Sequence, residues 1–386
     1  MATTFKKLQP NDKTTTRTLL HESVPMTGTL MSGTYGTFPS DTNVRTYTHG
    51  MFESVYDYPY LSSSANHIFD ITVGFSNAYT GTYSGSTANA KKRRNIYNSM
   101  AQVLAGFDGN STLRKFDEDG DLSGGNKYDR VLFINFARLL YKDEIKKGSF
   151  KLDYYTSGSY HELSNCIRIE DYGAANDYKI NSPAGEFGIL YVTQQDGSDI
   201  TGAPASPLNV QFAETGANGR AFAGLVFYQA GIVALPITGS STENVNAVFA
   251  SGNIGEKWRL NARGIYSGSL FSGSLLDLIS SGTVEDWANN FRRRVKNIQF
   301  NNTTELNSTV HFCRVNHNDF NYSSNKSYLS SSKIRVKQDN TDTPVSYITT
   351  VGLYNETNNL MAVAKLSEPI KKTPDTELVL RVRLDY

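Results

Sequence analysis

The most site-like string in the chain is "DEDGD", residues 117–121, because clustered carboxylates can hold calcium. An EF-hand loop requires Gly at position six and a bidentate Glu at position twelve. Counting from Asp117 puts Gly120 at position four and Tyr128 at twelve, so that template fails. The string reads as a solvated Asp-Gly turn, whose residues tolerate the backbone angles a turn demands, and no metal ligand is assigned. The six histidines, at 21, 49, 67, 161, 311 and 317, lack both the i, i+4 pairing on a helix and the Cys-x-x-Cys partners of zinc sites. His311, Cys313 and His317 lie closest together. On a strand the first two share a face, whereas His317 would require the chain to turn back at once, so a packed Cys with surface histidines is expected.

Nucleophilic and phosphate chemistry find no support. The elbow G-x-S-x-G is absent, since "GTYSG" and "GSLFSG" place Ser at the wrong spacing. Neither G-x-x-x-x-G-K-[ST] nor G-x-G-x-x-G occurs. A glycosidase carboxylate pair needs no linear motif, and nothing in the sequence singles one out. Trp258 and Trp287 have the chemistry of ligand-stacking platforms, but Trp287 stands at helical spacing from Phe291 and is expected in a core. The basic run Lys91 to Arg94 lies at a helix start, where the dipole disfavours positive charge, and reads as solvated surface rather than a phosphate site. The expectation is a protein that is not an enzyme and uses no cofactor and no metal.

The elements that would position any site are mostly strands. Tyr (23) and Phe (20) are abundant and charged residues reach only 19% of 386, a mixture that suits pleated, half-buried surfaces joined by Gly-, Ser- and Asn-rich turns. The sequence predicts a mainly β fold of antiparallel or sandwich-like sheets with a few helices and two domains. The segments "GSFKLDYY", "NCIRIEDY" and "EFGILYVT" read as strands bounded by turn residues. The run 131–136 is a buried strand or part of a helix continuing through Leu140, and periodicity does not separate the two. "AFAGLVFYQAGIVALPI", 221–237, is short for a bilayer span and carries Gln229 and Pro236, so two buried strands or one core helix is expected.

Two helices stand out. One, near 89–107, presents Ile96, Met100, Val103, Leu104 and Phe107 on one face, with Gly106 as a stop. The other, near 284–297, has Thr283 as N-cap and Trp287, Phe291 and Val295 at intervals of four. The organisation read from these patterns is an extended N-terminal arm over 1–45, a β-rich domain over 46–215 and a second over 216–386 that ends in a β-meander. In the last domain "VSYITTVGLYNETNNLMAVAKL", 345–366, forms a hairpin with apolar groups on both faces, which predicts cover on both sides.

Lys plus Arg is 38 against Asp plus Glu 37, so no bulk charge points to nucleic acid or an anionic membrane surface. Cys166 and Cys313 are too few for a disulfide framework, and "MATTFKKLQPND" lacks the apolar core of a signal peptide, so synthesis in a reducing cytosol is expected. The N-x-[ST] triplets are then a consequence of composition.

Several phrases resemble a known group. "DFNYSSNKSY" (319–328), "YITTVGLYNETNNLMAVAKLSEPIKK" (347–372), "LRVRLDY" (380–386), "FESVYDYPYLSSSANHIFDITVGFS" (52–76) and "NDYKINSPAGEFGILY" (176–191) are similar to virion structural proteins of contractile-tailed phages, the myoviruses of marine and cyanobacterial hosts. Within that group the late strands look most similar to baseplate-wedge components. They also resemble tail-fibre proteins, which would make the chain a receptor- or glycan-binding module; a capsid or neck protein is the third reading. The resemblance implies location in the virion after synthesis in the host cytoplasm. It implies contacts with other tail or baseplate proteins and self-association, such as a dimer, within a larger assembly, with no nucleic acid bound and no membrane insertion. The residues expected at interfaces are aromatic and aliphatic groups in polar surroundings: Phe5, Leu19, Leu20, Tyr35 and Phe38 in the arm, and Phe320, Asn321 and Tyr322 in a later loop.

Overall fold

A computed structural model describes residues 5–25, 41–77, 88–125, 127–155, 166–193, 222–236, 283–285, 288, 291, 295–323, 329–330, 333–334, 339 and 341–386. The chain is mainly β. In order, the elements are β1 (Lys13–Pro25), β2 (Val44–Thr46), β3 (Glu53–Tyr56), β4 (His67–Phe75), α1 (Ala88–Leu104), β5 (Phe116–Asp117), β6 (Lys127–Tyr128) and β7 (Arg130–Phe136). There follow α2 (Arg138–Tyr141), β8 (Glu144–Ile145), β9 (Lys151–Tyr155), β10 (Cys166–Glu170), β11 (Lys179–Ser182), β12 (Gly185–Thr193), β13 (Phe222–Phe227) and β14 (Ile232–Pro236). The last are β15 (Val295–Val315), β16 (Leu329–Ser330), β17 (Lys333–Ile334), β18 (Ser346–Tyr354), β19 (Leu360–Lys372) and β20 (Leu378–Asp385). They build two compact units, one of His21–Thr304 and one of Met1–Leu20 with Glu305–Tyr386.

The larger unit is an antiparallel sheet in the order β15-β9-β10-β12-β13-β14-β7-β4-β3-β2, with β8 also on β15 and β11 on β12. β7 settles the ambiguity left by periodicity: "RVLFINF" is a strand whose apolar run is buried on both faces. Leu132, Ile134 and Phe136 join one core with Ile71, Val73, Val233 and Phe300. Val131 and Phe133 join the other, with Tyr97, Phe116, Phe187 and Phe227. The apolar segment 221–237 resolves into the strand pair β13 and β14, matched in register from Leu225↔Ala234 to Phe227↔Ile232.

α1 lies over the second core, and its buried residues are Ala90, Arg93, Ile96, Tyr97, Ala101 and Leu104. That stripe is rotated from the one expected, for Val103 and Phe107 are exposed. The rotation follows from close approach: a Cβ on Gly74 of β4 would come within 2.7 Å of the Tyr97 backbone nitrogen, so only a strand glycine lets the helix sit there. It also draws Arg93 out of the solvated run expected at 91–94, with its guanidinium 4.9 Å from the Phe75 ring centre. Gly106 ends the helix at φ +75°, as its sequence position predicts.

Residues 284, 285, 288 and 291 are helical, with Val284, Ala288 and Phe291 buried. The element is shorter than the expected 284–297, because Val295 already begins β15 and pairs with Tyr154. The expected division at 215/216 lies outside the described residues, and the strands on its two sides, β12 and β13, are sheet neighbours. Of the expected arm, residues 13–25 are strand β1, whose neighbour is β15.

In the smaller unit the C-terminal strand β20 pairs with β15 from Ser308↔Asp385 to Val315↔Leu378, burying Val310, Val315 and Val382. β18 and β19 form a separate two-stranded ribbon, as do β16 and β17.

Candidate interaction surface

The β18–β19 ribbon is the hairpin expected from the sequence, with pairs from Ser346↔Lys372 to Tyr354↔Leu360. Its turn is held by Asn355, whose Oδ1 accepts from the Thr357 and Asn359 amides at 3.0 and 2.8 Å, while Asn358 takes φ +62°. Its base is clamped by Lys372. That side chain is fully buried, and its ammonium donates to His317 O, Asn321 Oδ1 and Thr373 O at 3.0, 2.7 and 2.7 Å, so all three protons are used. Ser346 Oγ adds a bond of 2.5 Å to Phe320 O.

Cover on both faces, expected from the apolar pattern, is not found among the described residues. Ile348, Val351, Leu353, Ala362, Ala364, Leu366 and Ile370 are half-buried, and the other face leaves Tyr347, Tyr354, Leu360, Met361 and Val363 exposed, Met361 at 68%. Strand alternation fixes which residues share a face; whether a further layer covers that face is a tertiary matter. Tyr354 and Leu360 fold over Gly352, where a Cβ would meet the Tyr354 ring at 2.9 Å.

The expected interface residues have different settings. Phe5 is exposed and its ring packs against Tyr354, centroids 4.7 Å apart, which joins it to the ribbon. Phe320 and Tyr322 are exposed beside the ribbon base, and Phe320 holds φ +53°, a left-handed conformation that a bulky residue adopts only at a cost. Asn321 is instead a positioning group, engaged by Lys372 and donating to His317 O at 2.8 Å. Leu19 and Leu20 are exposed on β1; Tyr35 and Phe38 lie outside the described residues. The sequence reading missed the ribbon's own exposed side chains, and only the alternation of two apolar faces on a hairpin hinted at them.

Nearby charges tie the N-terminal residues to the later part of the chain. Lys6 pairs with Asp319 and Arg17 with Glu305, while Arg314 Nε donates to Asp12 Oδ1 at 2.6 Å. The Arg314 hydrogen bond holds the Asp12 carboxyl below its usual range. His311 and Cys313 sit on β15 opposite Val382 and Leu380, and His317 contacts Glu377 at 3.4 Å. Burial pushes the Cys313 thiol up, so it has the character of a packed Cys.

A cleft of about 360 Å³ is lined by Thr46, Tyr47, Phe52, Glu53, Lys92 and Arg93 among others, and Lys92 already donates to His49 O at 2.7 Å. Asp171 is buried and accepts from the Gly148 and Phe150 amides at 2.7 and 2.9 Å and from the Tyr228 hydroxyl at 3.2 Å. Burial pushes its carboxyl up to about 7 against those donors, and the cluster braces the turn into β9. The string 117–121 is only in part the solvated turn expected: Asp119 and Asp121 are exposed, but Asp117 and Glu118 are buried, and burial pushes the Asp117 carboxyl up to about 7. Trp258 and Trp287 lie outside the described residues. Compared with known proteins, the chain matches no family model, no curated sequence and no solved structure.

Proposed function

We propose that this chain is a structural component of a phage virion, a wedge-type subunit of the tail baseplate that acts by protein–protein assembly and not by catalysis. The observation that carries the reading is the β18–β19 ribbon. An isolated two-stranded hairpin is marginal in water, and this one exposes Tyr347, Tyr354, Leu360, Met361 and Val363 on one side while only half-covering the other. Contiguous apolar surface of that kind is a contact surface in waiting. Phe320 and Tyr322 at the base and Phe5 on Tyr354 extend it with rigid aromatic anchors of the sort that dominate interface energetics. The occupant is a neighbouring virion subunit, either another tail protein or a second copy of this chain. The resemblance of 319–328, 347–372 and 380–386 to myovirus virion proteins supports the same reading, since those phrases include the ribbon.

The test is composition and position in the particle. Purified virions should contain the chain at fixed stoichiometry in the tail fraction. Virions that lack it while retaining full infectivity would overturn the proposal.

A further inference from the structure

The strands β5 and β6 pair with Phe116 opposite Tyr128 and Asp117 opposite Lys127, and the loop between them carries Asp119 and Asp121. One ligand-type oxygen from each of Asp117, Asp119 and Asp121 lies within 4.8 Å of the others, the only such group of three among the described residues. Exposed acidic loops are common, and Asp119 and Asp121 are exposed. Asp117 is what distinguishes this one. Its side chain is fully buried, Lys127 Nζ donates to Oδ2 at 2.6 Å, and Oδ1 is buried with no hydrogen-bond partner. That Oδ1 is aimed into the loop: a Cβ on Gly125 would lie 3.6 Å from it and 3.7 Å from Asp119 Oδ2, so the two oxygens border one point. A carboxylate oxygen taken out of water to face other carboxylates is costly unless positive charge or a proton meets it. Lys127 supplies one positive charge, placed on the other oxygen, and Asp119 and Asp121 on the exposed side keep the cluster net negative.

We infer that Asp117, Asp119 and Asp121 bind a calcium ion, through Asp117 Oδ1 and one oxygen from each exposed aspartate, with water completing the shell. The donors decide the class of ion: all are hard oxygens, with no imidazole or thiolate to favour zinc or copper. An open, solvent-facing side and a loop donor set favour calcium, which tolerates irregular geometry, over magnesium, which demands a near-ideal octahedron. The loop is already pinned for the task. Leu122 is buried at its centre, and Asn181 Nδ2 donates to the Gly120 and Asp121 carbonyls at 3.3 and 2.8 Å. Three protein carboxylates are fewer donors than a high-affinity loop provides, so the dissociation constant should fall on the order of 10⁻⁴–10⁻³ M.

The experiment is calcium titration of the full-length protein, freed of metal by chelation, followed by calorimetry and thermal melting. One saturable site and a melting temperature that rises with calcium are expected, with magnesium giving a smaller rise. The double variant D119N/D121N alters only exposed side chains; it should fold and lose at least tenfold in affinity. K127Q removes the competing ammonium and should bind several-fold more tightly. Absence of saturable calcium binding, or binding unchanged in D119N/D121N, would overturn the site and leave Lys127 as the cluster's cation. Weaker binding by K127Q would count against it equally.

Discussion

β7 and the β18–β19 ribbon are both apolar strands, yet they sit in opposite environments. In β7, Val131 to Ile134 have no accessible surface and lie in two cores; in the ribbon, Met361 and Val363 are more than half exposed. The same residue classes therefore do different work. Phe133 contacts Phe116 at 5.3 Å between ring centres and supports the fold, whereas Val363 leaves half of its surface to solvent. The difference teaches that an apolar strand is buried only where neighbours on both faces cover it, and that the exposed ribbon residues are what the proposed assembly role would use.

The contrast can be broken at several points. Deleting 377–386 removes β20, which pairs with eight residues of β15, and should abolish the folding transition of the smaller unit; a truncated protein of unchanged melting behaviour would refute that dependence. Phe133→Ala should cost about 3–5 kcal/mol in urea denaturation, the usual range for a buried aromatic. Lys372→Met leaves three oxygen acceptors at the ribbon base without their ammonium and should cost about 1–3 kcal/mol, seen as faster amide exchange across β18 and β19. Smallest of all, Val363→Thr should change stability by less than about 0.5 kcal/mol while impairing incorporation into particles. A stability loss at Val363 as large as that at Phe133 would erase the distinction.

A pH series sharpens the buried side of the comparison. The Asp171 carboxyl rises from its ordinary 3.8 to about 7 on folding, so between those values the folded chain holds more protons than the unfolded one. Stability should then fall as pH rises from about 4 to 7 and level off above. Asp171→Asn should flatten the slope of melting temperature against pH, whatever it does to the absolute value.

Much of this was legible in the sequence where the signal is local. The hairpin at 345–366, the helix stop at Gly106 and the strands β9, β10 and β12 follow from turn residues and alternation. What depended on distant partners was not. The buried face of α1 is set by Gly74 on another strand, and "RVLFINF" became β7 only because β4 and β14 flank it. Exposure of the ribbon could not be read from its pattern, since alternation carries no information about a third layer. The acidic loop fails the linear EF-hand template, and the β5–β6 register, which seats Asp117 in the core opposite Lys127, leaves no mark in the linear sequence.

The most direct test of assembly through the ribbon is a cryo-EM map of the intact phage particle at side-chain resolution. The account predicts density for this chain in the tail or baseplate, with Tyr347, Tyr354, Met361 and Val363 buried against a neighbouring subunit. A particle without the chain, or one in which the ribbon stands free in solvent, would contradict it.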